Sequence, residues 1–204
     1  MEYGWPEEKI AIKGNFVSHN PVNRVNPVQE KKDQIVYVGR LSKEKGVETL
    51  IKAFGQLSGK TRLIIVGDGV DRGELEVMAR GLNIEFVGQK PSEEARQIIA
   101  ESKAIVSPSA CWETFGLAAA EAMTVGVPSV VSNVGALPDI VQDGRFGEVF
   151  EAGNVEACAR AIKRLISRPD YNAICAAAKH EAETKYSEEA NYKQLMKIYG
   201  ECYK

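Results

Sequence analysis

Two groups of side chains in this chain could do chemistry. The first is an acid pair, Glu113 and Glu121. Between Leu117 and Val131, Glu121 is the only ionisable residue, set among alanines, Met123 and valines that suit burial on every side. An unpaired charge out of water costs several kcal/mol at least, so Glu121 is predicted to have a partner: a backbone cap, a basic side chain, or the hydroxyls of a bound ligand. Glu113 precedes a helix expected to start near Gly116, which sets the two carboxylates about one turn, or ~6 Å, apart along the mouth of a strand-loop-helix unit. The second group follows an apolar strand: Gly39, Arg40, Lys43, Lys45 and Gly46, a turn rich in cations that opens onto a helix. Fixed positive charge beside helix amides that lack intrahelical acceptors is a site for an anion, and the fit is to a diphosphate. Each group also has a plainer reading. The basic turn could be merely solvated, Glu113 could serve the helix dipole, and Glu121 could sit in a buried salt bridge to a distant Lys or Arg.

The elements that must carry these residues alternate short β-branched runs with longer helical patterns, the signature of a parallel sheet covered by helices on both faces. Strands are predicted at Gln34 to Val38, Arg62 to Val66, Ile84 to Val87, Ala104 to Val106 and Ser129 to Val131, with a further short one at Gly147 to Phe150. Helices are predicted over Val47 to Leu57, Arg72 to Gly81 and Glu93 to Glu101, and around Glu121. After Asn154 only helices follow: Val155 to Ser167, Tyr171 to Thr184 and Glu188 to about Tyr203, with Ser187 as the N-cap of the last. The fold class is thus α/β, a Rossmann-like doubly wound parallel sheet with a helical C-terminal extension. Residues 28–168 form the domain, 169–204 its terminal helices, and 1–27 a lead-in whose Ser18 to Pro27 part is a turn-rich loop.

The arrangement around the acids is specific: an apolar strand before them, a Phe115-Gly116 step between them and the short strand Ser129 to Val131 after. It resembles the paired-glutamate motif of retaining glycosyltransferases of the two-Rossmann-domain (GT-B) architecture, the large family that includes mannosyltransferases, sucrose synthases and bacterial glycogen synthases. The resemblance runs from about Asn15 to about Ile166. It implies that this chain is the second, donor-binding domain alone, with Ile10 to Val17 as the strand leading in from an acceptor-binding N-terminal domain. By the same resemblance the substrate is a nucleotide-diphosphate sugar. Arg40 and Lys45 would meet its phosphates, as would Thr114 and the amides of Phe115, Gly116 and Leu117, with Gly39 a further donor-binding position. Glu113 would touch the sugar hydroxyls, Glu121 the ribose, and backbone near Val87 the base. Gly67 and Gly69 match the family's strand-Gly-x-Gly step, and Ser109 is a further candidate contact. Transfer would keep the anomeric stereochemistry and need neither metal nor cofactor. The isolated chain would bind donor and transfer slowly or not at all.

Composition bounds the alternatives. An apolar fraction of 44%, a charged fraction of 26% and a net charge of −2 describe an ordinary globular domain with no global basic surface for nucleic acid or anionic membrane. Four scattered cysteines and two histidines make a zinc site or disulfide framework improbable and fit a reducing cytosol. No apolar run is long enough to insert in a membrane, so the chain is expected in the cytoplasm, with peripheral association of the full-length enzyme with the inner membrane left open. Gly67, Gly69 and Gly73 approach a dinucleotide fingerprint, but the spacing is one residue too long and the strand at Ile84 to Val87 ends in Gly88 rather than an acid. An NAD-type domain, a non-catalytic nucleotide-sugar-binding module and a sugar-nucleotide epimerase of the same architecture remain alternatives. The base, sugar, acceptor and oligomeric state stay open; the last helix, with Tyr192, Leu195, Met196 and Tyr199 on one side, is expected to pack on a neighbouring domain.

Overall fold

The β-branched runs do form strands. In the computed structural model, which describes residues 4, 6, 9–18, 30–57 and 59–202, they make one six-stranded sheet in the order β3-β2-β1-β4-β5-β6, every pairing parallel. The strands are β1 (Gln34–Val38), β2 (Arg62–Val66), β3 (Ile84–Gly88), β4 (Ala104–Ser107), β5 (Ser129–Ser132) and β6 (Gly147–Phe150). The helices are α1 (Val47–Phe54), α2 (Arg72–Met78), α3 (Ser92–Ala100), α4 (Leu117–Thr124), α5 (Leu137–Val141), α6 (Val155–Ile166), α7 (Tyr171–Lys185) and α8 (Glu188–Cys202).

Alternation along the central strands explains the layers. Ile35 and Tyr37 face α1 and α6, whereas Val36 between them faces α3 and α4. Because both faces are covered, the strands read as continuous apolar runs and not as an alternating pattern. A third apolar cluster joins α4, α5 and α7 through Ala119, Met123, Leu137 and Ala178.

Several expectations need correction. Ile10 to Val17 forms no strand; it runs as irregular chain against the terminal helices, where the Val17 N–H donates to Tyr186 O at 2.9 Å and Asn191 Nδ2 to Gly14 O at 2.9 Å. The predicted loop beyond Ser18 lies outside the described residues. The helices α1 and α2 stop about a turn early, each closing in turn-type bonds such as Leu57 N–H to Phe54 O at 3.0 Å and Leu82 N–H to Ala79 O at 3.0 Å. The five-residue helix α5 and a 3₁₀ turn at Lys43–Lys45 were not expected. Ser187 does cap α8, accepting from Ala190 N–H at 3.2 Å. Helix α7 packs on α4 with Ala178 and Ala182 buried, while α8 leaves Tyr192, Met196 and Tyr199 exposed. Among the described residues no helix is long and apolar enough to cross a membrane.

Candidate functional site

Strand β1 hands the chain on to β2 on one side, and its other neighbour β4 hands it to β5 on the opposite side. The loops leaving their carboxyl ends therefore diverge and open a crevice, the usual ligand site of an open parallel sheet. Here the crevice has two hollows that share Val38 and Gly39. One, of about 150 Å³, is lined by Tyr37, Lys45, Ser107, Ser109, Glu113, Gly116, Leu117, Ala118 and Leu137. The other, of about 330 Å³, is lined by Arg40, Val66, Gly67, Asp68, Gln89, Lys90 and Ala95.

The smaller hollow holds a built charge pair. Gly46, at φ +65°, lets the 3₁₀ turn rest directly on the β4–α4 loop: a Cβ there would stand 2.1 Å from Pro108 O. The Ala110 N–H donates to Glu44 O at 2.9 Å and locks the two loops together. Lys45 Nζ thereby reaches Glu113 Oε1 at 2.5 Å, and Ser109 Oγ donates to the same oxygen at 2.7 Å. Behind them, Ser132 Oγ donates to Ser109 O at 2.6 Å, and the Ala136 N–H to Glu113 O at 2.8 Å. Burial pushes the Glu113 carboxyl upward, but the bonds from Lys45 and Ser109 outweigh it and hold the group below the usual carboxylate range.

The amides of Lys45 and Gly46 are taken by Ser42 O at 2.9 Å and Lys43 O at 3.1 Å, inside the 3₁₀ turn that precedes α1. Helix α4 also begins at the hollow. Its cap, Gly116, offers no side-chain acceptor, and Leu117 and Ala118 line the space, so the first-turn donors and the positive end of that helix face it.

In the larger hollow Arg40 is exposed and forms no ion pair among the described residues. Its backbone is fixed from beneath by Tyr37, whose hydroxyl donates to Arg40 O at 2.7 Å. Burial, together with the negative charges of Glu113 and Glu44, pushes the Tyr37 phenol upward, so it stays protonated and keeps donating. Gly67 and Gly69 serve backbone packing: a Cβ on Gly67 would lie 1.9 Å from Gly39 O, and one on Gly69 2.1 Å from Leu41 O. The β2–α2 loop can thus lie against the Arg40 loop, through Leu41 N–H to Asp68 O at 2.9 Å.

Of the sequence-predicted residues, Gly39, Lys45, Ser109, Glu113, Gly116 and Leu117 come together in the smaller hollow, and Arg40 and Gly67 in the larger. Gly69, Val87, Thr114, Phe115 and Glu121 line neither. Phe115 stacks edge-on against Tyr186, ring centroids 5.6 Å apart, Val87 packs against the core between the sheet and α3, and Thr114 is exposed. The burial of Glu121 on every side is also corrected. Ala119, Ala120, Ala122 and Met123 are buried, but the Glu121 side chain is 23% exposed. Its partner is Arg96 on α3, at 3.8 Å, which is longer than a hydrogen bond. Burial moves the Glu121 carboxyl upward, and Arg96 only partly offsets it. Glu121 stands on the α4 stripe of Leu117 and Ala118, one turn beyond the hollow. Sequence reasoning missed Arg96 and Tyr37, whose roles depend on contacts far along the chain. It also missed Leu137, whose helix was signalled only by Pro138 in its first turn.

Comparison with known proteins adds the following. Residues 20–184 match the family model described as "Glycosyl transferases group 1". The chain is 32% identical over 179 residues to the sulfoquinovosyl transferase SQD2 of Arabidopsis thaliana, covering 86% of this chain and 35% of that protein. It is 31% identical over 216 residues to the uncharacterized glycosyltransferase MJ1607 of Methanocaldococcus jannaschii, covering 97% and 55% respectively. The chain thus spans roughly a third to a half of these relatives. Among solved structures it superposes on Anabaena Alr3699/HepE in complex with UDP with a TM-score of 0.78 at 24% identity, covering 84% of this chain and 49% of that one, a likeness of fold.

Proposed function

Because the chain belongs to the glycosyl transferases group 1 family, we propose that it is the donor-binding half of a retaining glycosyltransferase, which holds a nucleotide-diphosphate sugar while an N-terminal domain presents the acceptor. The observation that carries this reading is the Lys45–Glu113–Ser109 cluster at the start of α4. It sets a cation and open helix amides beside a carboxylate at the sheet's carboxyl edge, which suits a diphosphate bearing a polyhydroxylated group.

In this reading Lys45, the amides at the head of α4 and Arg40 neutralise the diphosphate as it departs. Charge-assisted hydrogen bonds contribute about 1.5–3 kcal/mol each, and those that strengthen as the leaving group gains charge lower the barrier. Glu113 accepts from hydroxyls of the sugar, and Glu121 from those of the ribose. The acceptor attacks from the face the diphosphate leaves, with hexosyl transfer and retained stereochemistry. The cations supply the neutralisation that a metal ion would otherwise give, so the reaction runs without one in the cytoplasm.

The test is calorimetric titration of this chain with UDP-glucose, UDP-N-acetylglucosamine, GDP-mannose, ADP-glucose and NAD. One sugar nucleotide is expected to bind, with NAD inert and transfer slow or absent until the acceptor domain is supplied. Binding of NAD alone, or turnover by this chain at the rate of a two-domain enzyme, would contradict the reading. A non-catalytic module is the second reading, favoured by the Arg96–Glu121 pair, which already gives Glu121 a structural partner. Product analysis of the full-length protein separates a transferase from an epimerase.

A further inference from the structure

Arg96 is a cation that the binding scheme above leaves unused. Its Nη2 lies 3.8 Å from Glu121 Oε1 and donates to the Ser18 carbonyl at 3.3 Å, with the side chain only 15% exposed. Its Nε is buried and has no hydrogen-bond partner among the described residues. A guanidinium carries five N–H donors, so this one is held close to a carboxylate while spending few of them.

The contrast with the neighbouring pair is informative. Lys45 closes on Glu113 at 2.5 Å and occupies an acceptor oxygen, jointly with Ser109. Arg96 stands off from Glu121 at 3.8 Å, where Coulomb attraction persists but no lone pair is used. Other charged or titratable residues occur on the elements around α4: Glu93 and Glu94 on α3, Asp139 on α5, and Lys179, His180, Glu181, Glu183 and Lys185 on α7. Among all these, Arg96 is the one whose charge acts on the Glu121 carboxylate, against the cost of its burial.

We propose that Arg96 is a positioning residue for the donor: it holds Glu121 aimed from its partly buried place on α4, at a separation that leaves both carboxylate oxygens free to accept a ribose diol. The inference rests on the donor-binding reading and adds to it a residue outside the crevice that sets discrimination for a ribose over a deoxyribose.

The experiment uses the whole chain and calorimetry with UDP, GDP and ADP, then with the 2′,3′-dideoxy counterpart of the tightest binder. Arg96→Met, which keeps the apolar stem and removes the charge, is expected to weaken the ribonucleotide about tenfold, the scale of one charge-assisted contact. It should weaken the dideoxy counterpart less than about twofold, since the diol through which Arg96 acts is already gone. The pH below which ribonucleotide affinity falls should move upward in Arg96→Met, because Glu121 loses its counter-charge, and Arg96→Lys should restore most of the affinity. Should Arg96→Met fail to fold, Arg96→Gln takes its place with the same expected ratio. Equal losses for both nucleotides, or an unmoved acid limb, would make Arg96 a packing residue of the α3–α4 contact and overturn the inference. Failure of the native chain to bind any of the three diphosphates would instead overturn the donor reading itself.

Discussion

Lys45 and Glu113, 68 residues apart in the chain, meet at 2.5 Å where the loops after β1 and β4 are bonded together. Neither side chain is fully buried, at 27% and 21% exposure, so the pair is open to a ligand while its geometry is set by Ser109 and by two locked loops. That arrangement ties the fold to the chemistry proposed for it: the crevice exists because the topology reverses between β1 and β4, and the charge pair lies across that reversal.

Replacing Lys45 by Met should abolish measurable binding of the sugar nucleotide, a loss of a hundredfold or more if the contact is worth about 3 kcal/mol. Glu113→Gln should also weaken binding and should change the acid response of the fold. The Glu113 carboxyl is depressed in the folded state. Its stabilisation is therefore complete above the ordinary carboxylate pKa of about 4.3 and is lost as pH falls through the lower folded value. Thermal melts from pH 7 to 3 should show the native chain losing more stability than Glu113→Gln over the acid end of that range.

Glu121 should behave with the opposite sign. Its carboxyl is raised by burial, so its charge opposes folding at neutral pH, and the penalty shrinks as pH falls through the raised value towards the ordinary one. Glu121→Gln is expected to raise the melting temperature of the ligand-free chain at pH 7 by a few degrees, with the gain fading towards pH 4, and to weaken the nucleotide about tenfold. A gain in stability with unchanged affinity would favour the non-catalytic module.

The glycines of the β2–α2 loop separate packing from dinucleotide chemistry. Gly67→Ala, whose Cβ would meet Gly39 O at 1.9 Å, should destabilise the chain by more than about 2 kcal/mol in denaturant melts. Gly73→Ala meets nothing within 4 Å and lies in the first turn of α2, so it should be neutral or stabilising by about 0.5–1 kcal/mol, with nucleotide affinity unchanged.

What could be read in the sequence was what depends on local pattern. Runs such as Arg62 to Val66 are long and β-branched enough to be strands in any context, and parallel pairing follows from the helices between them. The Glu113 turn and the Lys45 turn stood out as candidates because each combines charge with a strand end and a helix start, and the fold brings the two together. Their partners were less accessible. Nothing near Arg96 in sequence signals that its side chain crosses to α4, and nothing near Ile12 shows that this segment lies against α8, with Gln194 Nε2 donating to Ile12 O at 3.3 Å. The alanines and valines around Glu121 suggested burial on all sides because composition alone does not tell which face of a helix is covered, and Glu121 keeps 23% of its side chain exposed.

The most direct measurement is titration of the native chain, Lys45→Met and Arg40→Met with the tightest-binding sugar nucleotide and with its free nucleoside monophosphate. If both cations act on the diphosphate, each variant should lose at least tenfold for the sugar nucleotide and much less for the monophosphate. Equal affinity of all three proteins for the sugar nucleotide would contradict the account.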